Sequence, residues 1–193
     1  VAAGTTTEGN VRTEFERRGL TVDVQSFENV DLIQEAFQVG RCDGWTSDAS
    51  QLASLRSAYP DGPEALVIFE DIFSKEPLGP AVVDGDSEWA QAVNWAVMAP
   101  IQAEEFGISS ENVDEMLESE DPSIATFLGA ENEDGTVLDA GLALDPAFAY
   151  NVVSQVGNYA EIFDRTLTDT LGLERGINAL WIDGGLQYVP PYR

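Results

Sequence analysis

Up to Phe69 the chain alternates short apolar runs with longer amphipathic stretches. Glu8 to Arg18 has the spacing of a helix, and Gly19 ends it. Leu20, Val22 and Val24 then alternate with polar residues, as a half-buried strand does. Asn29 or Asp31 can cap a second helix, in which Leu32, Ile33, Ala36 and Phe37 share a face and which Gly40 closes. Asp43 to Ser47 reads as a strand, and Asp48 stands where the next helix, carrying Leu52, Leu55 and Ala58, needs a cap. Leu66 to Phe69 reads as a further strand. Strands alternating with helices of this length predict an α/β fold, with a parallel-type sheet and helices on both faces.

Beyond Lys75 the pattern changes. Pro77, Gly79 and Pro80 punctuate an extended segment, Leu78 to Val83, with the look of a crossover. Ser87 to Glu105 carries Trp89, Val93, Val97 and Ile101 near helical spacing. Further helices are expected from Ser109 or Ser110, from Asp121-Pro122, and around Pro146, placed in a first turn where proline is tolerated. Gly129 to Gly141 reads as an exposed acidic loop. The end, Leu180 to Arg193, is too aromatic for a linker and is expected to be structured.

Composition narrows the chemistry. Asp and Glu total 35 against 9 Lys and Arg, a formal charge of −26, with Lys75 the only lysine. Such a surface repels phosphates, so a nucleic-acid partner is not expected. Spread along the whole chain, this charge suits either high salt or an ordinary acidic exported protein. The most apolar stretch, Ala90 to Ile101, is too short to span a bilayer, and no direct membrane insertion is expected. There is no histidine, which removes the commonest general base, and with one cysteine, Cys42, a thiolate metal site has no basis. No cofactor is expected. The acids of Glu118 to Asp121 and Glu131 to Asp134 lack the ligand spacing of a calcium loop and read as a solvated face. Trp45 and Trp181 are better read as packing residues than as stacking platforms.

Two places could hold a ligand. Gly4-Thr5-Thr6-Thr7 turns from an apolar stub into a helix, so free N–H groups, hydroxyls and the positive end of the helix dipole converge there. That suits a carboxylate or phosphate; simple N-capping by one threonine fits equally. Asp48 ends a strand at the sheet edge where α/β folds collect ligands, and could receive an ammonium group; it too could be only a cap. Taken together, an anion seat beside a cation seat suits a zwitterion.

GTTTE at the start, GRCDGWTSDAS (Gly40 to Ser50) and SKEPLGPAV (Ser74 to Val83) resemble the extracytoplasmic solute-binding proteins for polar and general amino acids. The tail, QVGNYAEIFDR (Gln155 to Arg165) and RGINALWIDGGLQYVPPYR (Arg175 to Arg193), resembles the general L-amino-acid subfamily of ABC transporters. The resemblance implies a two-lobed periplasmic-binding-protein-like fold closing on its ligand about a hinge. By it, residues 1–74 would be the ligand-binding α/β half of lobe 2. Residues 75–83 would be the hinge crossover, and 84–193 C-terminal helices packing on lobe 1, whose N-terminal part is expected to precede Val1.

The resemblance further implies that Gly4, Thr5, Thr6 and Thr7 hold the carboxylate of an L-amino acid and that Asp48 takes its ammonium. The carboxylate-clamping arginine and the aromatic wall of the family would lie in lobe 1. Cys42 would pair with a cysteine just upstream of Val1, in an oxidising compartment; a lone buried cysteine acting as a small apolar residue fits equally. The implied protein is a periplasmic, non-enzymatic substrate-binding component that passes its amino acid to membrane permease subunits. A dehydratase-like enzyme and a ligand-sensing receptor domain are the alternatives on the same fold.

Overall fold

The computed structural model describes residues 1–131, 134–137 and 144–192. They form two compact units, Val1–Leu78 and Gly79–Arg193.

In the first unit the helices are α1 (Thr6–Arg17), α2 (Val30–Gln38) and α3 (Ala49–Ser57). The first two end by one device. Gly19 and Gly40 take φ of 68° and 73°, a left-handed turn that glycine enters without steric cost. The next N–H then reaches back into the helix, Leu20 to the Phe15 carbonyl and Arg41 to the Ala36 carbonyl, each at 2.8 Å. Val11, Ile33, Ala36 and Ala53 are the buried apolar residues of this unit.

Residues 1–3 lie parallel to residues 25–27. The Ala3 N–H donates to the Phe27 carbonyl (2.8 Å) and the Phe27 N–H to the Val1 carbonyl (3.0 Å). An extended stub, α1 and a returning extended segment thus make the start of a parallel crossover. Leu20–Val24, Asp43–Ser47, Leu66–Phe69 and Leu78–Val83 are not helical, and among the described residues none of them joins a hydrogen-bonded ladder. A strand inside a parallel sheet is covered on both faces. Val67 and Phe69 are instead 75% and 78% exposed. The described fold is therefore mostly helical, with less sheet than the alternation of the sequence predicts.

α1 also holds the far end of its unit. Phe15 packs edge-on against Phe73, ring centroids 6.0 Å apart. Arg18 reaches Asp71 at 2.7 Å, and Asn10 donates to Glu76 at 2.9 Å.

The second unit is built on α4 (Ser87–Glu105), which packs on α7 (Phe148–Val156) and α8 (Tyr159–Phe163). Asp86 caps α4 by accepting from the Trp89 N–H at 3.0 Å. Its buried end carries Ala99, Pro100, Ile101 and Ala103, whereas Trp89 and Val97 on the expected apolar stripe are exposed. α5 (Val113–Met116) starts later than Ser109 or Ser110 because Asn112 closes a turn first. Asn112 accepts from the Ser109 N–H (2.7 Å) and donates to the Gly107 carbonyl (3.0 Å). α6 (Pro122–Phe127) begins at Asp121-Pro122 as expected. Pro146 falls in the turn before α7 and not in its first turn, because Asp145 captures the Ala147 N–H at 2.8 Å. In the expected loop Gly129 to Gly141, residues 132, 133 and 138–141 lie outside the described residues, and with them one of the acids of Glu131 to Asp134.

The core of this unit joins Ile108, Phe127, Leu128, Phe148, Val153 and Tyr192. Phe127 alone, 1% exposed, brings about 1.5–3 kcal/mol of apolar burial. After α8 a π-helical turn (Asp164–Thr168) and α9 (Asp169–Leu171) lead to the tail. There Leu180 pairs with Gln187, and Leu180 and Val189 pack on Ile101. Trp45 leans on Phe37, as a packing residue does. Trp181 is half exposed and rests against Tyr188, so it is not core.

Candidate functional site

Gly4 sits at φ 71°, which swings the chain into α1 and is open to glycine above other residues. Thr5 holds the N-cap position in extended conformation, but its side chain makes no cap hydrogen bond. Its hydroxyl donates instead to the Ala2 carbonyl at 2.8 Å. Thr6 is exposed and Thr7 half-buried. No side chain closes the first turn of α1, so its N–H groups and the dipole stay available to an anion.

Beside the turn lies a group the sequence reading did not single out. The Glu8 carboxylate accepts from the Gly4 N–H (3.0 Å), the Ser26 hydroxyl (2.7 Å) and Arg12 (3.2 Å). These bonds, that of Ser26 foremost, hold its carboxyl at about 2, well below the ordinary 4.5. The signal was legible: Thr5 and Glu8 have the T-x-x-E spacing of a capping box.

Asp48 is the N-cap residue of α3 (φ −60°, ψ 142°), it is exposed, and its side chain makes no cap hydrogen bond either. Next to it the Ser47 hydroxyl donates to Gln51 Oε1. At four other helix starts the cap side chain is used. Asn29 accepts from the Leu32 N–H, Asp86 from Trp89, Asp121 from Ser123, and Asn158 forms a full capping box with Glu161. α5, α7 and α9 also start without a capping side chain. The plain capping role considered for Thr5 and Asp48 is thus not what their side chains do. The structure ties Gly4 to Glu8 and Thr5 to Ala2 at the head of α1, and sets Asp48 at the head of α3.

Cys42 is half-buried and free. Among the described residues no group of acids, histidines and cysteines is arranged to hold a metal ion, and no helix is long and apolar enough to cross a membrane.

No family model matches the sequence. All of it is similar to the general L-amino acid-binding periplasmic protein AapJ of Rhizobium johnstonii, at 46% identity. It is likewise 42% identical to the putative amino-acid ABC transporter-binding protein YhdW of Escherichia coli, and 39% to the glutamate/glutamine/aspartate/asparagine-binding protein BztA of Rhodobacter capsulatus. The chain spans 56% of the length of each of these relatives. Its fold matches an ABC transporter periplasmic binding protein from Brucella ovis with glutathione bound, at a TM-score of 0.92 and 41% identity, over 100% of this chain and 60% of that one. Along its whole length this chain is similar, in sequence and in fold, to part of the periplasmic amino-acid-binding proteins of ABC transporters.

Proposed function

We propose that the chain is the larger part of a substrate-binding component that traps an L-amino acid in the periplasm and delivers it to the permease subunits of an ABC importer. What carries this reading is the similarity of the whole chain to periplasmic amino-acid-binding proteins, and two of its uncapped helix starts supply the chemistry. Gly4, Thr5, Thr6 and Thr7 would receive the ligand carboxylate, and Asp48 its ammonium through charge-assisted hydrogen bonds. For Thr5 to donate to the ligand, its hydroxyl must leave the Ala2 carbonyl; Thr6 carries no such commitment. In this reading residues 1–74 are the ligand-binding half of a second lobe built on a parallel sheet, 75–83 the hinge crossover, and 84–193 helices that pack on the other lobe. The relatives are named as binding proteins, in keeping with capture without chemistry. No specific observation favours the enzyme or the sensor.

A seat for an α-carboxylate and an α-ammonium is blind to what the side chain bears. Glutathione keeps both groups on its γ-glutamyl end, so the ligand class extends to γ-glutamyl peptides. Cys42 pairs, in the same reading, with a cysteine preceding Val1, which counting free thiols in the full-length protein would test.

The decisive measurement is calorimetry on the full-length protein with single L-amino acids and with glutathione, beside Asp48→Ala. Binding at micromolar or tighter Kd, lost at least a hundredfold in the variant, is expected. A folded full-length protein that binds none of them would sink the proposal.

A further inference from the structure

In a capping box the third helical residue's carboxylate takes the N-cap N–H, and the N-cap hydroxyl takes the third residue's N–H. At the head of α1 both halves are displaced. Glu8 takes the N–H of Gly4, one residue earlier, and the Thr5 hydroxyl turns back to the Ala2 carbonyl. The turn is therefore braced without its first-turn N–H groups being filled by a side chain. The brace also has an outer anchor. Glu8 accepts from Ser26, whose neighbour Phe27 is bonded to Val1 and Ala3, so the carboxylate locks the turn onto the parallel pair beneath it.

A second carboxylate arriving at this helix start would meet the charge of Glu8. Arg12, in contact with Glu8 at 3.2 Å, offsets part of that charge. The arrangement spends an anion and a cation on shaping a turn whose donors stay uncapped.

We propose that Glu8 is the positioning residue of the ligand-carboxylate seat, holding the Gly4–Thr7 turn through Gly4 and Ser26 so that the start of α1 stays open to the ligand. The role rests on the amino-acid-binding reading above. Glu8 acts through the turn and does not itself touch the ligand.

The test is L-glutamine and L-alanine binding to the full-length protein, followed by calorimetry and by dissociation rate. Glu8→Ala is expected to weaken binding tenfold or more, chiefly by faster dissociation, with an unchanged far-UV spectrum. Glu8→Gln, which keeps an acceptor for the Gly4 N–H, is expected to recover most of the loss. Ser26→Ala, an exposed and mild change, is expected to cost several-fold and serves if Glu8→Ala does not fold. The discriminating readout is a cycle with Thr6→Val. A residue acting through the turn makes the Thr6 change cost less once Glu8 or Ser26 is altered, whereas a general loss of stability leaves the two losses additive. Additive losses, or variants that bind within twofold of wild type, overturn the role. A wild type silent toward both ligands and the other L-amino acids removes the binding reading and the role with it, a result distinguishable from variants that bind normally.

Discussion

Arg175 meets Glu104 at 3.1 Å while its guanidinium lies over the rings of Tyr159 and Phe163, 5.1 and 5.3 Å from their centroids. It also donates to the Asn178 carbonyl through both Nε and Nη2. One side chain thereby joins the C-terminal end of α4, α8 and the tail. Both partners of the ion pair are largely buried, and a planar fork with aromatic neighbours suits arginine better than lysine.

Arg175→Ala leaves Glu104 without its cation and is expected to cost about 3 kcal/mol of unfolding free energy, the scale for breaking a buried pair. Arg175→Lys is expected to recover less than half of it, since an ammonium cannot reproduce the double donation and the stacking. Urea unfolding of the full-length protein, followed by tryptophan fluorescence, checks both.

Tyr192 is expected to matter more than its place near the end of the chain suggests. Its ring packs against Trp95, Phe127 and Phe148, and its hydroxyl donates to the Trp95 carbonyl at 3.2 Å. Burial pushes its phenol well above the usual tyrosine range. Tyr192→Ala is expected to cost about 3–5 kcal/mol, and Tyr192→Phe about 1 kcal/mol. A Phe variant as damaging as the Ala variant would mean that the hydroxyl, and not the packing, dominates.

Acid is expected to weaken the first unit in a defined window. Arg17 and Arg18 both bond Glu14, and with Arg17 foremost they hold its carboxyl at about 2, as the contacts of Glu8 do for that residue. A folded-state value below the ordinary 4.5 means that the unfolded chain takes up these protons first. The stability these groups supply is complete above 4.5 and is lost as pH falls from there toward 2. Urea midpoints measured from pH 6 to about pH 2.5 are expected to fall across that window. Glu14→Gln is expected to have a shallower fall, and sharing the wild type's overall charge relief at low pH, it isolates the one group. Equal slopes would remove Glu14 from the account.

Helix positions were the most legible part of the sequence. The bounds of α4, Ser87 to Glu105, match the segment read from apolar residues near helical spacing, although part of that stripe is exposed. Gly19 and Gly40 marked two helix ends because a left-handed residue there has a local cause. The strands were less legible. A ladder depends on neighbours distant in sequence, and the alternation of Leu20, Val22 and Val24 describes one segment, not its partner. The candidate site divided in the same way. Gly4, Thr5 and Asp48 announced themselves as helix starts, but whether a cap side chain caps anything is settled by geometry that spacing does not contain. Glu8 was missed because an acid in a first turn reads as ordinary helix chemistry, and its bond to Ser26 spans eighteen residues.

α1 has one further consequence. At twelve residues it is a rod about 18 Å long, with the proposed carboxylate seat at its tip and Asn10, Phe15 and Arg18 gripping residues 71–76 along its flank. A rod cannot shorten, so a tilt taken up at the tip would bear on residues 71–76 at its side, just ahead of Leu78 where the first unit ends. The helix is a lever, and its handle and its load are already attached.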